Sequence, residues 1–365
     1  MVKIACYKPL IRIEDLTRWE ISKSDGHKYH PAKIVGCSDD VISNELFITQ
    51  DGTGINKKYQ LIQCGKCIGC RLDYSRDWAT RGYLEMMNSK NNYFVTLTYD
   101  NEHLPVPKQM TIEKTGEIIT EWDMKRFGID WNGTLVKKDI EQFMDTLRHK
   151  MARDPYNHRG IRYCLCGEYG ELNRRPHYHI ILFNCPLPIE SFYCPRLKWE
   201  EAIYYQNTII EECWTKGISN ITQCSWNTIA YVARYITKKQ YGEHSQEHYA
   251  RLGQIPEFMQ MSLKPAIGWY YYEQHKDKIY EQDSIIIKNR TGIQAVKPPK
   301  YFDKLYEKEN PKHMEEIKAK RRVETIRNLK TKAQTTSLSQ WEQLEVELHA
   351  KEQQTAIFHR NNEEL

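Results

Sequence analysis

Pro176-His177-Tyr178-His179-Ile180-Ile181-Leu182-Phe183 is the stretch on which the reading of this chain turns. In an extended strand alternate side chains share a face, so His177 and His179 project together while Tyr178 and Ile180 point the other way. Two imidazoles so placed can chelate one divalent cation; the plainer alternative is a pair of surface histidines. Upstream, Ile161 to Glu168 is a second strand-like run. The polar link Tyr169-Gly170-Glu171-Leu172-Asn173-Arg174-Arg175-Pro176 joins the two as a hairpin. Such a hairpin carries Glu168 across from the histidines. The result is a two-histidine, one-carboxylate set with open coordination positions, which suits a catalytic cation better than a closed structural one. A turn role for Glu168 is the competing reading.

Outward from the hairpin, Tyr93-Phe94-Val95-Thr96-Leu97-Thr98-Tyr99-Asp100 reads as a buried strand. Val136 to Met151 carries Val136, Ile140, Phe143, Met144, Leu147 and Met151 at helical spacing. Arg71 to Met87 and Glu200 to Trp214 also read as helices, and residues 101–134 as a long insertion or hairpin. Trp226 to Tyr241 reads as a helix started by Ser225 or Asn227. On that helix Tyr231 and Tyr235 are only ~40° apart, with Lys238 ~20° to one side and Lys239 ~40° beyond the other. A core stripe could carry two tyrosines, but it rarely adds lysines to the same face. A phenol of pKa about 10 is a poor nucleophile at neutral pH. A cation on a phosphate oxygen and a nearby ammonium would together permit attack on phosphorus.

The 365 residues hold 53 Lys+Arg and 48 Asp+Glu, a balance of +5 that does not by itself argue for nucleic acid. Mean hydropathy is −0.73, and no stretch approaches the ~18 apolar residues of a membrane span. Met1 to Leu10 lacks an apolar signal core, so export is not expected. The 24 Tyr and 9 Trp offer stacking faces, although ordinary core packing accounts for most of them.

Eleven cysteines without an export signal point to reduced thiols or metal ligands. Cys64, Cys67 and Cys70 form a CxxCxxC array with chelating spacing, and Cys6 and Cys37 are the nearest sources of a fourth thiol, with Cys6 preferred. Structural Zn2+ is the preferred occupant, with an iron–sulfur cluster or no metal as alternatives. Cys164 and Cys166 read as packing residues. Arg71, Arg76, Arg81, Arg174 and Arg175 are candidates to neutralise phosphates, or else sit in ion pairs and solvent. Four segments are expected. They are a Cys-rich N-terminal part (1–88), a catalytic domain (89–245), an extension packed on it (246–297) and a charged helical arm (298–365), whose Lys318 to Lys332 block is either a DNA or partner surface or a solvated helix.

The His177-Tyr178-His179 string followed by Ile180-Ile181-Leu182, together with Tyr231, Tyr235, Ile236, Thr237 and Lys238, resembles the HUH endonuclease superfamily of rolling-circle initiators. The order, histidines before the tyrosine helix, matches replication initiators and differs from relaxases. Cys64 to Arg71, Tyr93 to Tyr99 and Met261 to Gly268 are similar to the gokushovirus branch of the Microviridae.

That resemblance implies an α+β fold with a central five-stranded antiparallel sheet flanked by helices. It makes Phe94 to Tyr99 the first motif, His177 and His179 the metal pair, and Glu168 their third ligand. It makes Tyr231 and Tyr235 alternating nucleophiles, and Lys238 or Lys239 the helix lysine. The activity implied is Mg2+- or Mn2+-dependent nicking of phage origin DNA and ligation of the displaced circle, in the cytoplasm of a bacterial host with its helicase and polymerase. The rivals are a plasmid initiator or transposase of the same superfamily, and a non-catalytic zinc-stabilised DNA-binding protein.

Overall fold

The computed structural model describes residues 6–22, 28–36, 48–50, 55–152, 160–170, 172–199, 202–235, 244–289 and 292–360. Cys37, Lys238 and Lys239 lie outside the described residues. The chain divides into two compact units, Ser75–Glu315 and Val2–Tyr74 together with Glu316–Leu365.

The discontinuous unit carries strands β1 (Leu10–Asp15), β2 (Glu20–Ile21), β3 (Lys28–Tyr29), β4 (Ala32–Gly36), β5 (Ile48–Gln50) and β6 (Ile55–Ile62). Four of them form a sheet in the order β4-β1-β6-β5, and β2 pairs with β3 as a short ribbon. This sheet escapes a pattern reading because its alternation is weak: in β1 Ile11 is buried while every other position is partly exposed. Helix α1 (Ile68–Met87) follows.

The larger unit is built on a seven-stranded sheet. Its strands are β7 (Tyr93–Tyr99), β10 (Arg162–Tyr169), β11 (Pro176–Phe183), β12 (Phe192–Trp199), β13 (Ala202–Asn207), β14 (Gly217–Gln223) and β15 (Phe258–Met261). Their order is β12-β13-β14-β7-β11-β10-β15, every pairing antiparallel. The α+β class and the flanking helices are as expected. The strand count is seven rather than five, with the β12–β13 hairpin at one edge and β15 at the other. Between β7 and β10 the insertion forms the hairpin β8 (Gln109–Ile112) and β9 (Glu117–Thr120), short helix α2 (Glu121–Lys125) capped by Thr120, and α3 (Lys137–Met151).

One face of this sheet makes the main core. Val95, Leu97, Leu165, Tyr178 and Ile180 pack against Ile140, Phe143, Met144 and Leu147 of α3. These are the i, i+3, i+4, i+7 positions that the sequence marks as apolar. Burying each such side chain contributes about 1.5–3 kcal/mol. Helix α4 (Thr208–Cys213) covers the same cluster through Ile210, beside Trp214. A single helix over Glu200 to Trp214 is therefore not what forms. Ala202–Asn207 is strand, and Asn207 ends it by accepting hydrogen bonds from the amides of Ile209 and Ile210, which starts the helix there.

The opposite face carries α5 (Trp226–Arg234). Ser225 is its N-cap, in a reciprocal box with Thr228, and Tyr235 is its C-cap. Gly82 of α1 lets the two helices approach, since a Cβ there would lie 2.7 Å from Ile229 Cγ2. Gly217 opens β14 with φ +151, and a Cβ would come within 2.2 Å of the Thr98 carbonyl oxygen. The remaining described elements are α6 (Ser245–Arg251), α7 (Trp269–Gln282), β16 (Ile285–Asn289), β17 (Gly292–Val296), α8 (Lys300–Glu309), α9 (Pro311–Ala333) and α10 (Gln340–Arg360). After Pro299 the described chain is helical, as its composition suggests. Among the described residues no helix is long and apolar enough to cross a membrane.

Candidate active site

Strand register assembles the site. β10 and β11 pair Glu168 with His177 and Cys166 with His179. β11 and β7 pair His177 with Thr98 and His179 with Thr96. Glu168, His177 and His179 therefore stand on the α5 side of two adjacent strands, while Tyr178 turns into the core behind them. Its hydroxyl accepts from the Val136 amide (2.7 Å) and lies 2.9 Å from the Tyr99 hydroxyl, which donates to Asp139. That network ties the histidine strand to the start of α3.

Oε1 of Glu168 lies 2.6 Å from His177 Nε2 and 2.7 Å from His179 Nε2. Glu168 is 3% exposed and His179 6%. His177 Nδ1 is 3.1 Å from the Arg175 carbonyl, which can only accept, so Nδ1 bears the proton and Nε2 presents its lone pair. A lone pair facing a carboxylate oxygen at that distance requires either an added proton or a cation between them. His179 is oriented by Thr96, whose hydroxyl is 3.0 Å from Nδ1, and by Phe94, whose ring stacks on it at 5.3 Å. Oε2 of Glu168 is buried and has no hydrogen-bond partner among the described residues. The three ligand atoms lie within 4.8 Å of one another, so the set fits a single divalent cation.

Burial alone would raise the Glu168 carboxyl. The charge of His179 and the hydrogen bonds from both imidazoles outweigh it and lower the carboxyl to about 2. Both helix tyrosines are shifted upward, first by burial and then by the nearby Glu168 carboxylate. Their rings are 4.8 Å apart, edge to face. The Tyr231 hydroxyl is 3.5 Å from His179 Nε2, and the Tyr235 ring stacks on His179 at 5.7 Å. Both phenols thus lie beside the His179 imidazole, at and near the end of α5.

Thr96 and the Arg175 carbonyl are partners that sequence reasoning missed. Thr96 lies on β7 two positions after Phe94, on the same face, but no local signal marks it, because its contact with His179 needs the β7–β11 register. The arginine candidates divide. Arg81 is buried, donates from Nε to the Ile267 carbonyl at 3.0 Å and stacks over Trp78 and Tyr301, so it packs rather than facing phosphate. Arg174 binds Gln254, Arg175 binds the Tyr99 carbonyl and Asn101, and Arg76 is exposed. Cys164 and Cys166 are buried, as packing residues would be. In the other unit Cys6 joins Cys64, Cys67 and Cys70, with the four sulfurs within 4.8 Å of one another.

Comparison with known proteins places this geometry. The family model Replication-associated protein ORF2/G2p matches residues 92–240, the span that holds β7, the histidine strand and α5. The chain is 34% identical over 282 residues to Replication-associated protein ORF2 of Spiroplasma virus 4, covering 75% of this chain and 78% of that one. It is 29% identical over 260 residues to Replication-associated protein VP4 of Bdellovibrio phage phiMH2K, covering 70% and 71%. It is 27% identical over 180 residues to Replication-associated protein ORF4 of Chlamydia phage 1, covering 49% and 38%. No solved structure matches the chain. The likeness read from the motifs holds across most of the length, and the chain belongs to the family of phage replication-associated proteins.

Proposed function

We propose that this protein starts and ends rolling-circle replication of a small phage genome by cutting and rejoining one DNA strand through its own tyrosines. The observation that carries the proposal is the meeting of a phenol with a two-histidine, one-carboxylate set: Tyr231 Oη is 3.5 Å from His179 Nε2, itself 2.7 Å from Glu168. His177, His179 and Glu168 would hold Mg2+ or Mn2+, which when bound would polarise a phosphate oxygen, orient phosphorus and offset the Glu168 charge that disfavours a phenolate.

In the first step the phenolic oxygen of Tyr231 attacks the scissile phosphorus. The O–P bond to tyrosine forms as the bond from phosphorus to the 3′ oxygen breaks. The phenolic proton is lost and the departing 3′ oxygen gains one. The products are a 5′-phosphotyrosine diester and a free 3′-hydroxyl. The diester retains the energy of the cleaved bond, so later joining needs no nucleotide cofactor. Lys238 or Lys239 is the ammonium expected to steady the developing charge.

After one round Tyr235, adjoining Tyr231, attacks the regenerated origin, and the newly freed 3′-hydroxyl displaces Tyr231 to close the circle. Host polymerase would extend the first 3′ end and a host helicase would open the duplex, in the cytoplasm of the infected bacterium. The substrates are origin DNA as the double-stranded replicative form and as the single plus strand.

The test is incubation of the full chain with supercoiled origin DNA and Mn2+ or Mg2+. The expected product is an open circle with protein bound covalently to its 5′ end. A salt-sensitive shift with no covalent product would overturn the proposal in favour of a DNA-binding module.

A further inference from the structure

The Cys64-Gly65-Lys66-Cys67-Ile68-Gly69-Cys70 segment is not used by the proposed tyrosine chemistry and lies outside the family match over residues 92–240. We propose that Cys6, Cys64, Cys67 and Cys70 hold one tetrahedral Zn2+, which fastens the chain ahead of β1 to the start of α1.

Distances carry the argument. A Zn–S bond of ~2.3 Å places the corners of a sulfur tetrahedron ~3.8 Å apart. Cys64 Sγ and Cys70 Sγ are 3.9 Å apart, as are Cys67 Sγ and Cys6 Sγ. All four sulfurs fall within 4.8 Å of one another. A polynuclear iron–sulfur cluster places several irons and its own sulfides between the cysteines, which spreads them more widely than one ion does. The compactness of this set therefore selects a single thiophilic cation.

Backbone amides point to anionic sulfur independently. The Cys64 amide donates to Cys6 Sγ at 3.3 Å. The amides of Lys66 and Cys67 donate to Cys64 Sγ at 3.4 and 3.3 Å. Such bonds disperse the negative charge that four thiolates leave around a dication. Gly65, at φ +73, makes the left-handed turn that aims those amides back at Cys64. Cys70 stands in the first turn of α1, where the helix end favours an anion.

The surroundings are those of a closed structural site rather than an open catalytic one. Cys67 and Cys70 are buried, and Leu72, Leu344 and Leu348 pack around the four residues, the last two from α10. The ion would link residues 58 positions apart, Cys6 and Cys64. Binding energy at such a site becomes folding energy for the unit that contains it.

Mass spectrometric metal analysis of the full chain, purified without chelator, tests this. One zinc per chain is expected, and a cobalt-substituted sample should show thiolate-to-cobalt charge transfer with the visible bands of tetrahedral Co2+. Cys6→Ser should lose most of the zinc, whereas Cys164→Ser and Glu168→Gln should keep it, which separates this site from the histidine site. Folded protein without metal would overturn the site, and stoichiometric iron would overturn the ion. Full zinc in Cys6→Ser would overturn the fourth ligand. If Cys6→Ser does not fold, the cobalt spectrum decides alone, since octahedral or thiolate-free bands would also refute a tetrathiolate.

Discussion

Tyr231 and His179 meet through the hydroxyl of one and Nε2 of the other, 3.5 Å apart, on elements separated by 52 positions in the chain. Tyr235 approaches the same imidazole differently, with its ring stacked on His179 and only 5% of the residue exposed. The two phenols are therefore not equivalent, and under the proposed function Tyr231 makes the first cut. Tyr231→Phe should lower first-strand nicking by about 10³-fold or more, because the nucleophile itself is removed. Tyr235→Phe should retain first nicking but fail to release closed circles, and the double variant should form no adduct. Peptide mass spectrometry of the trapped adduct identifies the attacking residue; nucleotide on any other residue would refute the assignment.

His177 and His179 both aim Nε2 at Glu168, with Nδ1 of each engaged elsewhere. His177→Ala or His179→Ala should abolish metal-dependent nicking and leave salt-sensitive origin binding largely intact. Chelation of the cation by EDTA should reproduce this in the unaltered protein, with recovery on adding Mn2+. Nicking that persists in either variant at the same Mn2+ concentration would remove the pair as ligands.

Thr96 does not reach the ligand cluster but fixes the His179 ring through Nδ1 at 3.0 Å. Partners of this kind typically change metal affinity by about 10–100-fold when removed. Thr96→Val should therefore shift the Mn2+ dependence of nicking to higher concentration by that factor. Maximal rate at saturating Mn2+ should fall much less. A loss of rate that added metal cannot restore would argue that Thr96 acts in another way.

How much of this was readable from the chain follows from where each signal resides. The hairpin was legible because strand alternation places His177 and His179 together and the link to Glu168 is short. The tyrosine pair was legible because helical spacing needs no tertiary information. Thr96 was not, since its role depends on its own strand β7 pairing in one register with β11, which carries His179 83 residues further along the chain. Glu200 to Trp214 misled because the apolar residues of a short strand and of the helix after it run together, and only the Asn207 cap divides them. The preference for Cys6 as the fourth thiol had no local spacing signal behind it. Sequence distance ranks Cys37 closer to the array, whereas the amide of Cys64 reaches the sulfur of Cys6.

Glu168 also links the site to acid stability. Its carboxyl titrates at about 2 in the folded, metal-free protein, below the 4.5 of a free glutamate. A group whose folded pKa is depressed stabilises the fold fully above its unfolded pKa, and that contribution is lost as pH falls through the folded value. The difference corresponds to roughly 3 kcal/mol. Glu168→Gln in EDTA should therefore melt well below the unaltered protein at pH 6, and the gap should close progressively between about pH 4.5 and pH 2. Melting followed by circular dichroism across that range checks it. A gap that stays constant with pH would mean that packing, rather than charge, is what the carboxylate supplies.

Tyr178 sits between the two histidines in sequence but faces the core, 0% exposed, with its hydroxyl near both Tyr99 and the Val136 amide. Tyr178→Phe would leave that part-buried amide without its partner, at a cost of about 1–3 kcal/mol. Strand β11 is held on its other side by β10, so the imidazoles should keep their register. The expected result is a lower melting temperature with Mn2+ affinity changed less than in Thr96→Val. The opposite ranking would mean that α3, through Val136, sets the position of the metal pair, and that the helix behind the sheet belongs functionally to the site in front of it.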